Sequence, residues 1–275
     1  ACVRAAILCK SDLVTGMVGE FPDLQGIMGR YLARHDGEPA AGARAIEEHY
    51  LPRYAGGELP QSPAGQVLAL ADRLDSLVGL FIAGEEPTGE KDPYGLRRAA
   101  LGVIRILVEK KLDLNVAALV EDAADGYASD GLVSGESAKS QCATFILERY
   151  RALYTTLGFA QDEISAVLEA GASRPLDFDR RLKAVSRFRH HRDAPSLAAA
   201  NKRIRNILRK SEESIPAQID AQQLTESAEI ALSQAILKTA GAIAPAIAKG
   251  DYAAALRTLA GLRPVVDGFF DEVMV

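Results

Sequence analysis

Tryptophan is absent from this 275-residue sequence, and aromatic side chains make up only 6% of it. Ala and Leu abound instead, a balance that favours helices packed on helices over sheets. Cysteine is nearly as scarce. Cys2, Cys9 and Cys142 are odd in number, widely spread and never set as C-x-x-C. That excludes a disulfide framework and a zinc ribbon, and it fits a reducing compartment, the cytoplasm. No apolar run reads as long enough to span a membrane, and no signal peptide is recognisable. Phosphate and nucleophile motifs are missing as well. GESAKS places Lys139 after Ala138 without the glycine spacing of a P-loop, and neither G-x-G-x-x-G nor G-x-S-x-G occurs. The chain opens without Met inside an apolar helical pattern and closes on FFDEVMV in mid-pattern, which reads as an excised piece of a longer protein.

What is present is polarised. Between Asp177 and Lys210 lie eleven Lys or Arg and three Asp, a net +8 in a chain whose total is −5, so the remainder carries −13. Such a map points to a polyanionic partner. Pro195 splits the stretch into two predicted helices. In the second, Leu197, Ile204 and Leu208 share one stripe, expected to dock on a core. Lys202, Arg205 and Arg209 share another, expected to stay wet.

Apolar residues make up 48% of the chain, enough for real cores in one large or two ordinary domains. Residues 1–34 read as helical, with Ala5, Leu8, Cys9 and Leu13 on one stripe and Leu24, Ile27, Met28 and Leu32 on the next. A helix from Pro39 to Pro52, a loop rich in Gly and Pro (53–63) and the apolar helix VLALADRLDSLVGLF follow. Asp92-Pro93 predicts a capped helix start. Helices continue through 115–175, then ASRPLDF forms a junction. Beyond the basic pair the chain turns acidic (SEESIPAQID), and three Ala-rich helices lead to the end. No strand-like alternation or internal repeat is visible.

A metal site has partial support. His35, His49 and Asp72 fall on successive predicted helices, and AIEEHY followed by ALADRLD resembles the later helices of HD-type metal phosphohydrolases. That superfamily holds divalent ions with a His-Asp doublet on an early helix and a last Asp in an A-D-x-L context. Here Cys9-Lys10 stands where the doublet would fall, and a lysine ammonium repels a divalent ion. Asp72 matches the last ligand, and His49 reads as a helix histidine near a turn. The expectation is a degenerate HD-like scaffold without metal. A metal-dependent phosphohydrolase and a plain helical interaction scaffold are the competing readings.

Several phrases together are more specific: CKSDLVTGMVGEFPDLQGIMGRYLARHDGE (9–38), AIEEHYLPRYAG (45–56), ALADRLDSLVGLF (69–81), PTGEKDPYGLRRAALGVIRILVEK (87–110), AANKRIRNIL (199–208) and PVVDGFFDEVMV (264–275). In this order they resemble the β subunits of bacterial glycyl-tRNA synthetase over essentially the whole chain. The resemblance implies an all-α fold in three parts. These are a degenerate HD-like domain (1–110, incomplete at its N-terminus), a helical connecting body (111–176) and a helical-bundle anticodon-binding domain (177–275, incomplete at its C-terminus). It also implies a non-catalytic, tRNA-binding region of a glycine–tRNA ligase. Its partners would be tRNA(Gly) and the α subunit of an α2β2 assembly, with no membrane. ATP and Mg would be used by the α subunit, with no cofactor in this chain. An anticodon loop is read through base edges and by stacking on aromatic or guanidinium planes. The expected contact residues are therefore Lys183, Arg187, Phe188, Arg189, His190, Lys202, Arg203, Arg205, Arg209 and Lys210, with no catalytic or metal residue.

Overall fold

The computed structural model describes residues 2–89, 91–129, 135–171, 173–210, 219 and 221–273. The acidic stretch 211–220, apart from Ile219, and the last two residues of FFDEVMV lie outside the described residues, as does Ala172 of the expected junction. Among the described residues there are fifteen α-helices and no strand beyond one isolated bridge, Thr88 to Lys91. The all-α expectation therefore holds. The chain divides into two compact units, one of residues 1–164 and 168–176, the other of 165–167 and 177–275.

The first unit contains α1 (Cys2–Leu8), α2 (Gly16–Glu20), α3 (Ile27–His35), α4 (Ala40–Glu48), α5 (Pro63–Ile82), α6 (Leu96–Glu109), α7 (Val116–Ser129), α8 (Glu136–Leu147), α9 (Arg149–Thr156) and most of α10 (Gln161–Glu169). Its hub is α5, which packs on α1, α4, α6, α7 and α8. Leu68, Ala69, Leu70, Leu74, Leu77, Val78 and Phe81 are all buried, because neighbours meet this helix on most of its sides. Its start is fixed by a relay. Ser62 Oγ accepts from Gly65 N at 3.0 Å, while the buried Glu48 carboxylate accepts from Ser62 N at 2.8 Å and from Arg44 Nε at 2.7 Å. Burial works to raise the Glu48 pKa, but these donors outweigh it and hold it below the usual carboxylate range.

The second unit holds α11 (Pro175–Arg189) from Asp177 onward, α12 (Ala194–Lys210), α13 (Ser227–Ala248), α14 (Tyr252–Ala260) and α15 (Arg263–Glu272). α13 packs on α14 and α15, and α12 meets α15. Asp251 caps α14, its carboxylate accepting from Ala254 N at 3.0 Å.

Four expectations fail locally. The helix predicted through Leu13 stops at Leu8, and Leu13 is exposed. The cause is Asp12, a buried carboxylate that accepts from Gly26 N at 2.6 Å and Gly29 N at 3.1 Å and so folds the chain back onto α3. At α6 the N-cap is Gly95, three residues after Asp92. Asp92 still accepts from Leu96 N at 2.8 Å and Arg97 N at 3.0 Å, from a turn ahead of the helix. In α12 no residue is buried, and Ile204 and Leu208 are exposed instead of docked. The contact of α12 with α15 runs through a different face, which carries Arg203. Finally, α13 is 22 residues long and apolar enough, by length and composition, to cross a membrane. Glu229, Ser233, Gln234, Lys238 and Thr239 break it into runs of nine residues or fewer, which hides that length from a search for unbroken apolar sequence. No residue of its most apolar stretch is buried.

Candidate nucleic-acid interface

The basic stretch separates into two helices with different chemistry. α11 neutralises much of its own charge. Arg181 Nε lies 2.7 Å from Asp177 and Lys183 Nζ 2.8 Å from Asp179, both one turn apart. Tyr252 of α14 also donates to Asp177, and its ring sits 4.9 Å beneath the Arg181 guanidinium. Arg187, Arg189 and His190 are exposed on the last turn. Phe188 is half-buried and lies nearly parallel to the His191 ring, with centroids 5.6 Å apart and planes at 12°. The turn into α12 is held by Asp193, which accepts from Arg263 Nη1 of α15 at 2.8 Å and has Arg192 Nε at 3.4 Å. The Arg263 hydrogen bond holds the Asp193 carboxyl below its ordinary pKa.

α12 contains no Asp or Glu. Lys202, Arg205, Arg209 and Lys210 are exposed and have no ion pair among the described residues. The Arg203 guanidinium carbon lies 3.9 Å from the centre of the Phe270 ring on α15. On this flank an open cleft of about 340 Å³ is lined by Ala199, Lys202, Arg203, Asn206, Ile207 and Lys210. Three of the ten predicted residues (Lys202, Arg203 and Lys210) thus share one cleft. Arg205 lies outside that lining on the same helix, as does Arg209. Lys183 is tied to Asp179, and neither it nor Arg187, Phe188, Arg189 or His190 lines the cleft. Phe270 and Arg263 were not among the predicted residues. Only the pairing of α12 with α15 gives them a role, and no spacing in the sequence encodes that pairing.

The first unit has a larger cleft of about 690 Å³ containing Arg30, Arg34, Arg44 and Arg53. Two of these four arginines are paired with acids. Arg30 pairs with Glu47 at 2.6 Å, Arg44 with Glu48, and Arg53 donates to the Gln25 carbonyl.

His49 and Asp72 do converge, as the metal reading requires, but they converge on the ammonium of Lys10. Its Nζ lies 2.8 Å from Asp72 Oδ1, 3.1 Å from His49 Nε2 and 4.6 Å from the centre of the Tyr50 ring. His49 is fully buried and its Nδ1 donates to the Ile46 carbonyl at 2.6 Å, which leaves Nε2 as the acceptor for Lys10. Burial, followed by the Lys10 charge, lowers the His49 pKa to about 4. His35 stands apart, exposed and hydrogen-bonded to Asp36. No group of three His, Cys, Asp or Glu suited to a metal occurs among the described residues. Burial pushes the Cys142 thiol up to about 12 and the Cys9 thiol above its usual value, so neither is an activated nucleophile.

Residues 1–169 match the family model described as glycyl-tRNA synthetase beta subunit, and residues 197–275 match the DALR anticodon binding domain. α11 lies between the two matched segments. Among relatives, the chain is 51% identical over 273 residues to the glycine–tRNA ligase beta subunit of Janthinobacterium sp. (strain Marseille), covering 98% of this chain and 38% of the relative. It is 52% identical over 275 residues to that of Aromatoleum aromaticum, covering 100% and 39%. With the Pseudomonas aeruginosa subunit it shares 50% over 272 residues, covering 99% and 40%. The chain thus spans about two-fifths of the length of these relatives.

Proposed function

Because this chain belongs to the family of glycyl-tRNA synthetase beta subunits, we propose that it is the tRNA-contacting region of a glycine–tRNA ligase and grips an anticodon loop through α12. The observation that carries this is the charge state of α12. It holds five cations and no acid on one exposed helix, within the segment that matches an anticodon-binding domain. Phosphates supply the anions that α12 lacks, and arginine pairs with them bidentately. α11, with Arg181 and Lys183 committed to Asp177 and Asp179, has a lesser share through Arg187 and His190.

Catalysis belongs, in this reading, to the α subunit, which binds ATP, Mg and glycine in an α2β2 cytoplasmic assembly. Residues 1–110 then serve as an HD-like scaffold and residues 111–176 as a connecting body. Support for a scaffold comes from Lys10, whose ammonium stands between the His and Asp that a metal hydrolase would use. The test is tRNA(Gly) binding by the full-length subunit assembled with its α partner. Changing Lys202, Arg205 and Arg209 together to Glu is expected to abolish it. Unchanged binding would remove α12 from the interface. The chain alone is expected to show no glycine-dependent ATP–pyrophosphate exchange, and measurable exchange would overturn the assignment of catalysis to the α subunit.

A further inference from the structure

Arg203 differs from the other cations of α12. Its guanidinium carbon sits 3.9 Å from the centroid of Phe270, closer than an edge-on approach allows, so the group lies over the ring face. Phe270 is itself half-buried and braced edge-to-face by Phe269, with centroids 5.3 Å apart and planes at 69°. A guanidinium has two faces. Phe270 covers one, while the residue as a whole is exposed and lines the cleft with Lys202, Asn206 and Lys210. The Asn206 amide, one turn on, offers both a donor and an acceptor at the same cleft. Ala199 and Ile207 contribute apolar surface.

We propose that Arg203 and Phe270 form a two-tier stacking seat for one unpaired nucleobase, with Arg203 as the platform and Phe270 as the residue that positions it. A guanidinium held on a ring has less freedom left to lose when a base lands on it, which is where preorganisation strengthens binding. Stacking is tolerant of base identity, so selectivity at this seat falls to the Asn206 amide. The seat rests on the proposed role of α12 in RNA binding, but it requires shape as well as charge, and the two requirements separate experimentally.

The experiment measures binding of the full subunit assembly to tRNA(Gly) and to transcripts made abasic at each anticodon-loop position in turn. Arg203→Lys keeps the charge and removes the plane. It is expected to weaken binding about 10-fold with no change in salt dependence. Phe270→Leu is expected to match it, and the double variant to be no worse than either single variant. One abasic transcript should abolish the difference between wild type and Arg203→Lys. Wild-type affinity in Arg203→Lys would overturn the seat, as would additive losses, or losses that persist with every abasic transcript. The Lys202, Arg205 and Arg209 to Glu variant, run in parallel, isolates the premise. If it binds normally, α12 is not an RNA surface at all. If it fails while Arg203→Lys is silent, α12 binds RNA through charge alone. Arg203→Lys leaves Phe270 in place, so its result does not depend on Phe270→Leu folding.

Discussion

His49 shows how a residue of ligand type becomes structural. Its Nδ1–H is committed to the Ile46 carbonyl, and its Nε2 lone pair receives the Lys10 ammonium. Burial is the main reason its pKa falls from 6.5 to about 4. The folded state therefore resists protonation more than the unfolded state does. Between about pH 6.5 and 4 the unfolded chain binds the extra proton, so stability from this group is complete above 6.5 and is lost as pH falls towards 4. The loss amounts to about 3 kcal/mol. Urea unfolding of the chain at pH 7 and pH 4.5 is expected to show it, and His49→Gln should remove that part of the pH slope. Lys10→Met tests the neighbouring charge. It should raise the His49 pKa, read by histidine NMR titration, yet leave it below 6.5 because burial persists. Since Lys10 and Asp72 are partly exposed, the loss of their pair should cost only about 1 kcal/mol.

Among the elements, α5 depends on one charged residue set in its apolar sequence. Arg73 is buried inside an apolar helix and donates to the carbonyls of His49, Ala69, Tyr50 and Pro52 at 2.9, 2.9, 3.2 and 3.1 Å. Burial lowers its pKa to about 10, and it stays charged at neutral pH. It thereby satisfies the end of α4 and the loop behind it. Arg73→Ala would strand those carbonyls and is expected to cost about 3 kcal/mol, visible as a lower denaturation midpoint. The existence of α4, α5 and α6 was legible in the sequence, because Pro39, the apolar run VLALADRLDSLVGLF and Asp92-Pro93 are local signals. Asp12 was not, since its role depends on Gly26 and Gly29 lying against it after folding. For α12 the stripe of Leu197, Ile204 and Leu208 was correctly read as apolar but wrongly read as docked. Which face meets a neighbour is set by α15, and α15 meets the flank with Arg203.

For the whole molecule, charge separation was the most legible feature and the least complete. Sequence located the +8, but only the folded chain shows how unevenly it is spent. α11 binds Arg181 and Lys183 to its own acids, and Asp193 takes up Arg192 and Arg263. Lys202, Arg205, Arg209 and Lys210 remain without such partners among the described residues. The proposed anticodon grip therefore rests on a few cations of one helix and not on the stretch as a whole. Each phosphate they hold should add about −0.7 to the slope of log binding constant against log salt for a single-stranded loop. The most direct measurement is that slope for tRNA(Gly) bound to the full subunit assembly, compared with the Arg205→Gln, Arg209→Gln double variant. A slope shallower by about 1.4, with weaker binding at low salt, is the predicted result for two lost phosphate contacts. Superimposable lines would contradict the proposal that α12 holds the RNA.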